Sequence, residues 1–218
     1  MIHQFQPKQA PIHYNPIMLT IVLQAGGASS RMGADKALLP FLGIPLIERL
    51  KDRFKDLGEE LVVITNTPAD YDFLGLPLHQ DLIPGRGALG GLYTALSIAK
   101  QPQLGLIAAD LPFASPRLLK TLNQRLQESG ADAVLPSTPQ GLEPLHAVYK
   151  RDRCLSLVKE AIDNDMWKMN SWHGKGNILV IPAEETRDIS RSDHTFWNLN
   201  TPEDFKKAEQ MAIVLGME

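Results

Sequence analysis

An α/β fold, a mainly parallel central sheet between two helical layers, is predicted by three features of this sequence. Short β-branched or apolar runs alternate with longer amphipathic segments from Leu19 onward, the pattern of consecutive βα units. The first of those runs leads into Ala25-Gly26-Gly27, and Asp81 and Asp110 stand just after two others, as strands do when they deliver loops to a ligand edge. No internal repeat, low-complexity tract or linker interrupts the chain between Leu19 and Leu215. The expectation is a single Rossmann-like three-layer domain over residues 19–218, preceded by a flexible tail at 1–18 that is rich in Gln, His and Pro.

The strand candidates, in order, are Leu19–Gln24, Glu60–Thr65, Leu76–His79, Leu104–Ala109, Ala133–Pro136, Leu145–Tyr149 and Asn177–Ile181. Helices announce themselves by their starts. Ser115 and Pro116 form an N-cap and first-turn pair ahead of Leu118, Leu119, Leu122 and Leu126, which fall on one helical face. Thr201, Pro202 and Asp204 repeat that signal before Phe205, Ala208, Ala212 and Leu215.

With 218 residues, 44% of them hydrophobic and 22% charged, the chain has the composition of one globular domain. A net charge of -3 offers no overall attraction to nucleic acid or an anionic membrane. Any anionic ligand then needs a local cationic site. The lone Cys154 excludes an internal disulfide and fits a reducing compartment. No apolar stretch approaches the roughly 20 residues that cross a bilayer, and no secretory signal precedes the first strand. A cytoplasmic location is the expectation.

The most informative stretch is the glycine loop after the first strand, Ala25-Gly26-Gly27 through Ser30-Arg31-Met32-Gly33, followed by Asp35-Lys36. Glycines allow backbone N–H groups close to phosphate, Arg31 can grip its oxygens as a fork, and Lys36 adds a point charge. The spacing does not fit a P-loop, because Gly33 is followed by Ala34 rather than Lys and then Ser or Thr. A mobile surface loop with solvated cations is the competing reading. Asp81 and Asp110 each follow a strand candidate and should lie at one sheet edge. A carboxylate there suits magnesium, which completes its shell with phosphate oxygens and water; Asp110 is the metal candidate. Capping of the following turn is the plain alternative.

Gly85-Arg86-Gly87-Ala88-Leu89-Gly90 matches the dinucleotide fingerprint by letter and has Asp110 about 20 residues beyond. It keeps a nicotinamide-binding oxidoreductase in play. Pro84 and several further residues separate it from its strand, which favours a ligand-facing turn into a helix, with Arg86 near a phosphate.

Taken together, Gln24-Ala-Gly-Gly27, Ser30-Arg-Met-Gly33, Asp35-Lys36, Ala88-Leu-Gly-Gly91, Ala109-Asp-Leu-Pro112 and Asn198-Leu-Asn-Thr-Pro202 resemble the molybdenum cofactor guanylyltransferases. The resemblance runs from about Leu19 to the C-terminal helix. It implies a nucleotidyltransferase that moves GMP from GTP to the phosphate of molybdopterin with Mg2+. It further implies that Leu23, Gln24, Ala25, Gly26 and Gly27 receive guanine and phosphates, and that Lys36 contacts phosphate. Asp81 would help hold the nucleoside, Asp110 would bind GTP and magnesium, and Arg31 and Gly33 would lie near the transferred group. Arg31, Lys36 and Asp110 are thus the catalytic candidates. Asn198 and Asn200 match a late Asn-x-Asn on the molybdopterin side of the cleft, although turn and cap chemistry also accounts for them. The family's Asn after the second strand falls on Asn66 or Thr65. Gln24 stands where the family has Leu. Cofactor-delivery proteins are the partners the resemblance suggests. A cytidylyl or sugar-phosphate relative and a noncatalytic GTP-binding regulator are further alternatives. His146 reads as a core residue outside the catalytic set.

Overall fold

The computed structural model describes residues 18–25 and 35–217. It opens with β1 (Leu19–Gln24), a small hairpin of β2 (Pro40–Phe41) and β3 (Ile44–Pro45), α1 (Leu46–Phe54), β4 (Glu60–Ile64) and β5 (Leu78–His79). The middle holds α2 (Gly87–Ile98), β6 (Gln103–Ala108), α3 (Pro116–Ser129), β7 (Ala133–Thr138), β8 (Gly141–Leu142) and β9 (His146–Lys150). It closes with α4 (Arg151–Asp163), β10 (Ile178–Ile181), α5 (Ala183–Ser190) and α6 (Pro202–Val214). Short 3-10 turns cover Lys36–Leu38, Pro68–Leu74 and His173–Lys175.

The main sheet has the order β10-β7-β9-β6-β1-β4-β5, with β8 attached to β7. β1 lies at its centre, parallel to both β4 and β6, and is buried on both faces, so it reads as a continuous apolar run rather than an alternation. Leu19, Ile21 and Leu23 face a core built with α1, α3 and α6, whereas Val22 faces a second core with α2 and α4. The period of two along β1 therefore divides the molecule into its three layers.

Two details depart from the simple βα repeat. β9 runs antiparallel between β6 and β7, because only residues 139–145 connect β7 to it and a parallel crossover needs about a dozen residues or more. β5 is shorter than the predicted Leu76–His79: Pro77 accepts a bond from Val63 at 3.0 Å but has no N–H to return. The helix starts are as the sequence predicts. Ser115 caps α3 through the Leu118 N–H, and Thr201 and Asp204 form a reciprocal capping box on α6.

Candidate active site

β1, β4 and β6 end in register, with Gln24 beside Ile64 on one side and Ala108 on the other. Three parallel strands thus release their following loops at one edge, the usual ligand position in open α/β sheets. A cavity of about 490 Å3 opens there, lined by Gln24, Lys36, Asn66, Asp81, Gly87 and Asp110 among others. That volume is in the range of small-molecule sites.

Lys36 is presented by the 3-10 turn that follows Asp35. One Asp35 oxygen caps this turn, accepting from the Ala37 N–H at 3.1 Å, while the other accepts from the Tyr71 hydroxyl at 2.6 Å. Lys36 Nζ donates to Asn200 Oδ1 at 3.0 Å, and among the described residues it forms no ion pair with a carboxylate. Across the cavity, burial raises the Asp110 carboxyl above its ordinary range, with the Lys36 ammonium opposing that shift. A carboxylate so placed gains from a cation. The Asp110 carbonyl accepts from Leu199 N–H at 3.1 Å, and Arg53 Nη1 donates to the carbonyls of Pro112 and Ala114 at 2.6 and 3.2 Å. These bonds hold the Asp110 loop from both sides.

At the β4 and β5 ends, Asn66 and Asp81 clasp one another: Asn66 Nδ2 donates to Asp81 Oδ2 at 3.1 Å, and Asp81 N–H donates back to Asn66 Oδ1 at 3.3 Å. Thr65 is buried, so of the two residues the sequence left in competition Asn66 lines the cavity. The Gln24 amide lies against α2 at Gly91, where a Cβ would come within 1.8 Å of Gln24 Nε2. Glycine in a helix interior costs roughly 1 kcal/mol relative to alanine; here it makes room for the glutamine. Gln24 Oε1 and Asp81 Oδ1 are buried acceptors without a hydrogen-bond partner among the described residues, each an unsatisfied group worth about 1–3 kcal/mol.

Leu23 and Ala25 put their side chains into the core, leaving only their main chain to face a ligand. Gly26, Gly27, Arg31 and Gly33 lie outside the described residues. Asn198 and Asn200 line a neighbouring cavity of about 880 Å3, together with Arg187, His194 and Trp197. Since Thr201 and Asp204 perform the capping of α6, the Asn200 side chain is released to meet Lys36. Arg86 is not among the cavity's lining residues; its guanidinium stacks 3.6 Å from the Trp167 ring centroid and lies 3.9 Å from Asp165. The glycines around it follow a two-residue edge strand after the intervening residues 80–84, which is not the strand-to-helix turn of a dinucleotide fingerprint. His146 is wholly buried, accepts from Ser115 N–H at 3.2 Å, and is held down to about 4 by burial. Sequence reasoning missed Tyr71 and Arg53 as supports of the site, and gave Gly91, which it met only within the Ala88–Gly91 motif, no role of its own. The Asp35 pairing has no local signature, and Arg53 reads as an ordinary helix-surface cation.

Among the described residues no cluster of three or more His, Cys, Asp or Glu side chains forms a metal cage. A half-buried carboxylate such as Asp110 at the wall of a polar cavity does suit a hard divalent cation that takes its remaining oxygens from phosphate and water.

The same architecture recurs in solved nucleotidyltransferases. A crystal structure of 2-C-methyl-D-erythritol 4-phosphate cytidylyltransferase from Thermus thermophilus superposes with a TM-score of 0.66, covering 89% of this chain and 98% of that one, and at 16% identity shares the fold. Molybdopterin-guanine dinucleotide biosynthesis protein A from Archaeoglobus fulgidus superposes with a TM-score of 0.78 at 25% identity, over 89% of this chain and 99% of that one. The protein is a nucleotidyltransferase of α/β architecture. Residues 21–176 match the MobA-like NTP transferase domain. A molybdenum cofactor guanylyltransferase from Desulfosudis oleivorans is 32% identical over 88% of this chain and 94% of its own length. The chain therefore belongs to the MobA-like NTP transferase family, alongside the molybdenum cofactor guanylyltransferases.

Proposed function

We propose that the protein transfers GMP from GTP to the phosphate of molybdopterin, releasing pyrophosphate, and that residues 19–218 act as one catalytic domain. The observation that carries this reading is the chemistry of the cavity at the β1, β4 and β6 ends. Among the described residues, Lys36 supplies a cation unpaired with carboxylate, while Gln24 and Asp81 supply unpartnered acceptor oxygens. Guanine presents two adjacent N–H donor groups, at N1 and N2, where cytosine presents one amino group. Both oxygens are shielded by their own neighbours, so a donor meets them after the amide or carboxylate turns. The guanylyltransferase names of the relatives favour the same base.

The acceptor phosphate is already largely dianionic near neutral pH and needs no protein base. One of its oxygens bonds to the α-phosphorus of GTP as the bridging oxygen to the β-phosphate leaves with the electron pair, giving pyrophosphate. Like charges about 4 Å apart repel by roughly 4 kcal/mol at an effective dielectric near 20. The protein's task is therefore to hold the reactants in line and neutralise charge. Lys36 meets phosphate oxygens and Asn200 steadies the ammonium. Arg31, which falls between β1 and Asp35 in the sequence, is the second cation of this reading. Asp110 would hold Mg2+ with phosphate oxygens and water, and the bound ion would supply further charge neutralisation. The larger neighbouring cavity, with Asn198 and Asn200 at its rim, is the proposed acceptor side. The aromatic faces of Phe196 and Trp197 there suit a planar pterin.

No helix among the described residues is long and apolar enough to cross a membrane. Cytosolic action, in keeping with a buried free Cys154, and hand-over of product to cofactor-delivery proteins belong to the same proposal. Its test is pyrophosphate release with molybdopterin and Mg2+, comparing GTP, CTP and ATP and omitting each component in turn. Release that needs GTP, molybdopterin and Mg2+ together is expected. A preference for CTP reassigns the base, and GTP binding without release makes the protein a regulator.

A further inference from the structure

Tyr71 is one of the largest fully buried side chains of the protein, yet its hydroxyl reaches the cavity wall. It sits in the 3-10 segment Pro68–Leu74 after β4, and it donates to Asp35 Oδ2 at 2.6 Å. The other Asp35 oxygen is occupied by the Ala37 N–H. Both oxygens of this carboxylate are thus engaged, although it stands next in the chain to the cavity's lysine. Lys36 meanwhile bonds to a neutral amide, Asn200 Oδ1, rather than to a carboxylate. Burial and the Asp35 charge both raise the Tyr71 hydroxyl above its ordinary range, so it stays a donor throughout the working pH range.

Without the hydroxyl, Asp35 Oδ2 loses its one side-chain donor among the described residues, and a half-buried carboxylate left in that state draws a cation toward it. Lys36, the next residue in the chain, is the cation the competition would involve. We propose that Tyr71 is a positioning residue that holds Asp35 away from Lys36, keeping the ammonium available to the donor's phosphates. The proposal deepens the guanylyl-transfer reading and rests on its assignment of Lys36 to phosphate. It assigns the ring of Tyr71 to packing and the hydroxyl to the site.

Two backgrounds test it. Tyr71→Phe keeps the ring and removes the hydroxyl; Asp35→Asn keeps an oxygen for the cap and removes the competing charge. Tyr71→Phe should lower kcat for pyrophosphate release about tenfold when Asp35 is present, and less than about twofold in the Asp35→Asn background. Binding of inorganic tripolyphosphate, followed by calorimetry, should weaken in the same pattern. That probe carries the donor's charge without its base, so it reports on Tyr71 even where transfer to molybdopterin proves not to be the reaction. The failure of the broader reading appears instead in the unaltered protein, as absent GTP-dependent release. A Tyr71→Phe cost that is equal in both backgrounds, or no cost in tripolyphosphate binding, overturns the proposal. Thermal unfolding of each variant separates these outcomes from a loss of fold.

Discussion

The two halves of the sheet build their cavities differently. On the β6-β1-β4-β5 side all strands are parallel, so successive strands deliver the end of β1, the Asn66 loop, Asp81 and Asp110 to one edge. On the other side β9 is antiparallel, and it is the start of that strand that reaches the edge, preceded by Glu143. The larger cavity is lined there by the end of β7 and its turn at 137–140, and otherwise by α5, the 190–200 segment and Asp204. Parallel strands concentrate chemistry from many places in the chain onto one line, whereas the reversed strand leaves its wall to be completed by later segments. In the proposed reaction, the first arrangement would grip the charged donor from several sides and the second would carry the bulkier acceptor.

Substitutions can break this division of labour. The largest expected effect is on the parallel side: Lys36→Ala or Asp110→Asn should lower turnover by at least about tenfold, equivalent to about 1.4 kcal/mol of transition-state stabilisation, with the fold retained by circular dichroism. Unchanged turnover in either variant would remove that residue from the reaction. On the acceptor side, Asn198→Ala should raise the KM for molybdopterin about fivefold, from the loss of roughly 1 kcal/mol of hydrogen bonding, while the Kd for GTP stays the same. If GTP binding weakens equally, the two cavities do not divide donor from acceptor.

The smallest effect sharpens the boundary between the sheet edge and α2. Gly91→Ala gains roughly 1 kcal/mol of helix propensity but meets the Gln24 amide, whose flexible end gives way more readily than backbone. Stability measured by denaturant should change by less than about 1 kcal/mol, offset by overpacking of similar size. GTP affinity should fall about threefold as Gln24 is displaced. In a Gln24→Ala background the same change should be neutral for affinity, and a persistent loss there would mean that the glycine serves something other than the glutamine.

Much of the cavity at the β1, β4 and β6 ends could be read from local signals. Asp110 and Asp81 follow apolar runs, and a strand end in a parallel sheet has one place to go. Lys36 was singled out by the glycine-rich stretch that precedes it in the sequence. The Asn66–Asp81 clasp was legible only as two separate polar residues, since nothing in a sequence says that two loops from neighbouring strands meet. Asn200 was ambiguous between a helix cap and a site. In the structure Asn200 contributes its N–H to Asp204 at the start of α6, while Thr201 and Asp204 form the capping box and the Asn200 side chain meets Lys36.

Apolar periodicity and capping residues act within a few residues of one another, and for that reason the layered α/β class, the starts of α3 and α6, and the side of the sheet on which ligand chemistry gathers are all legible along the chain. Tertiary structure alone decided that β9 reverses, that Gln24 lies on Gly91, that Tyr71 holds Asp35, and that Lys36 meets Asn200 from 164 positions away. Those are contacts between side chains brought together by the packing of whole elements, and their energies depend on distances through space that the order of residues along the chain does not record.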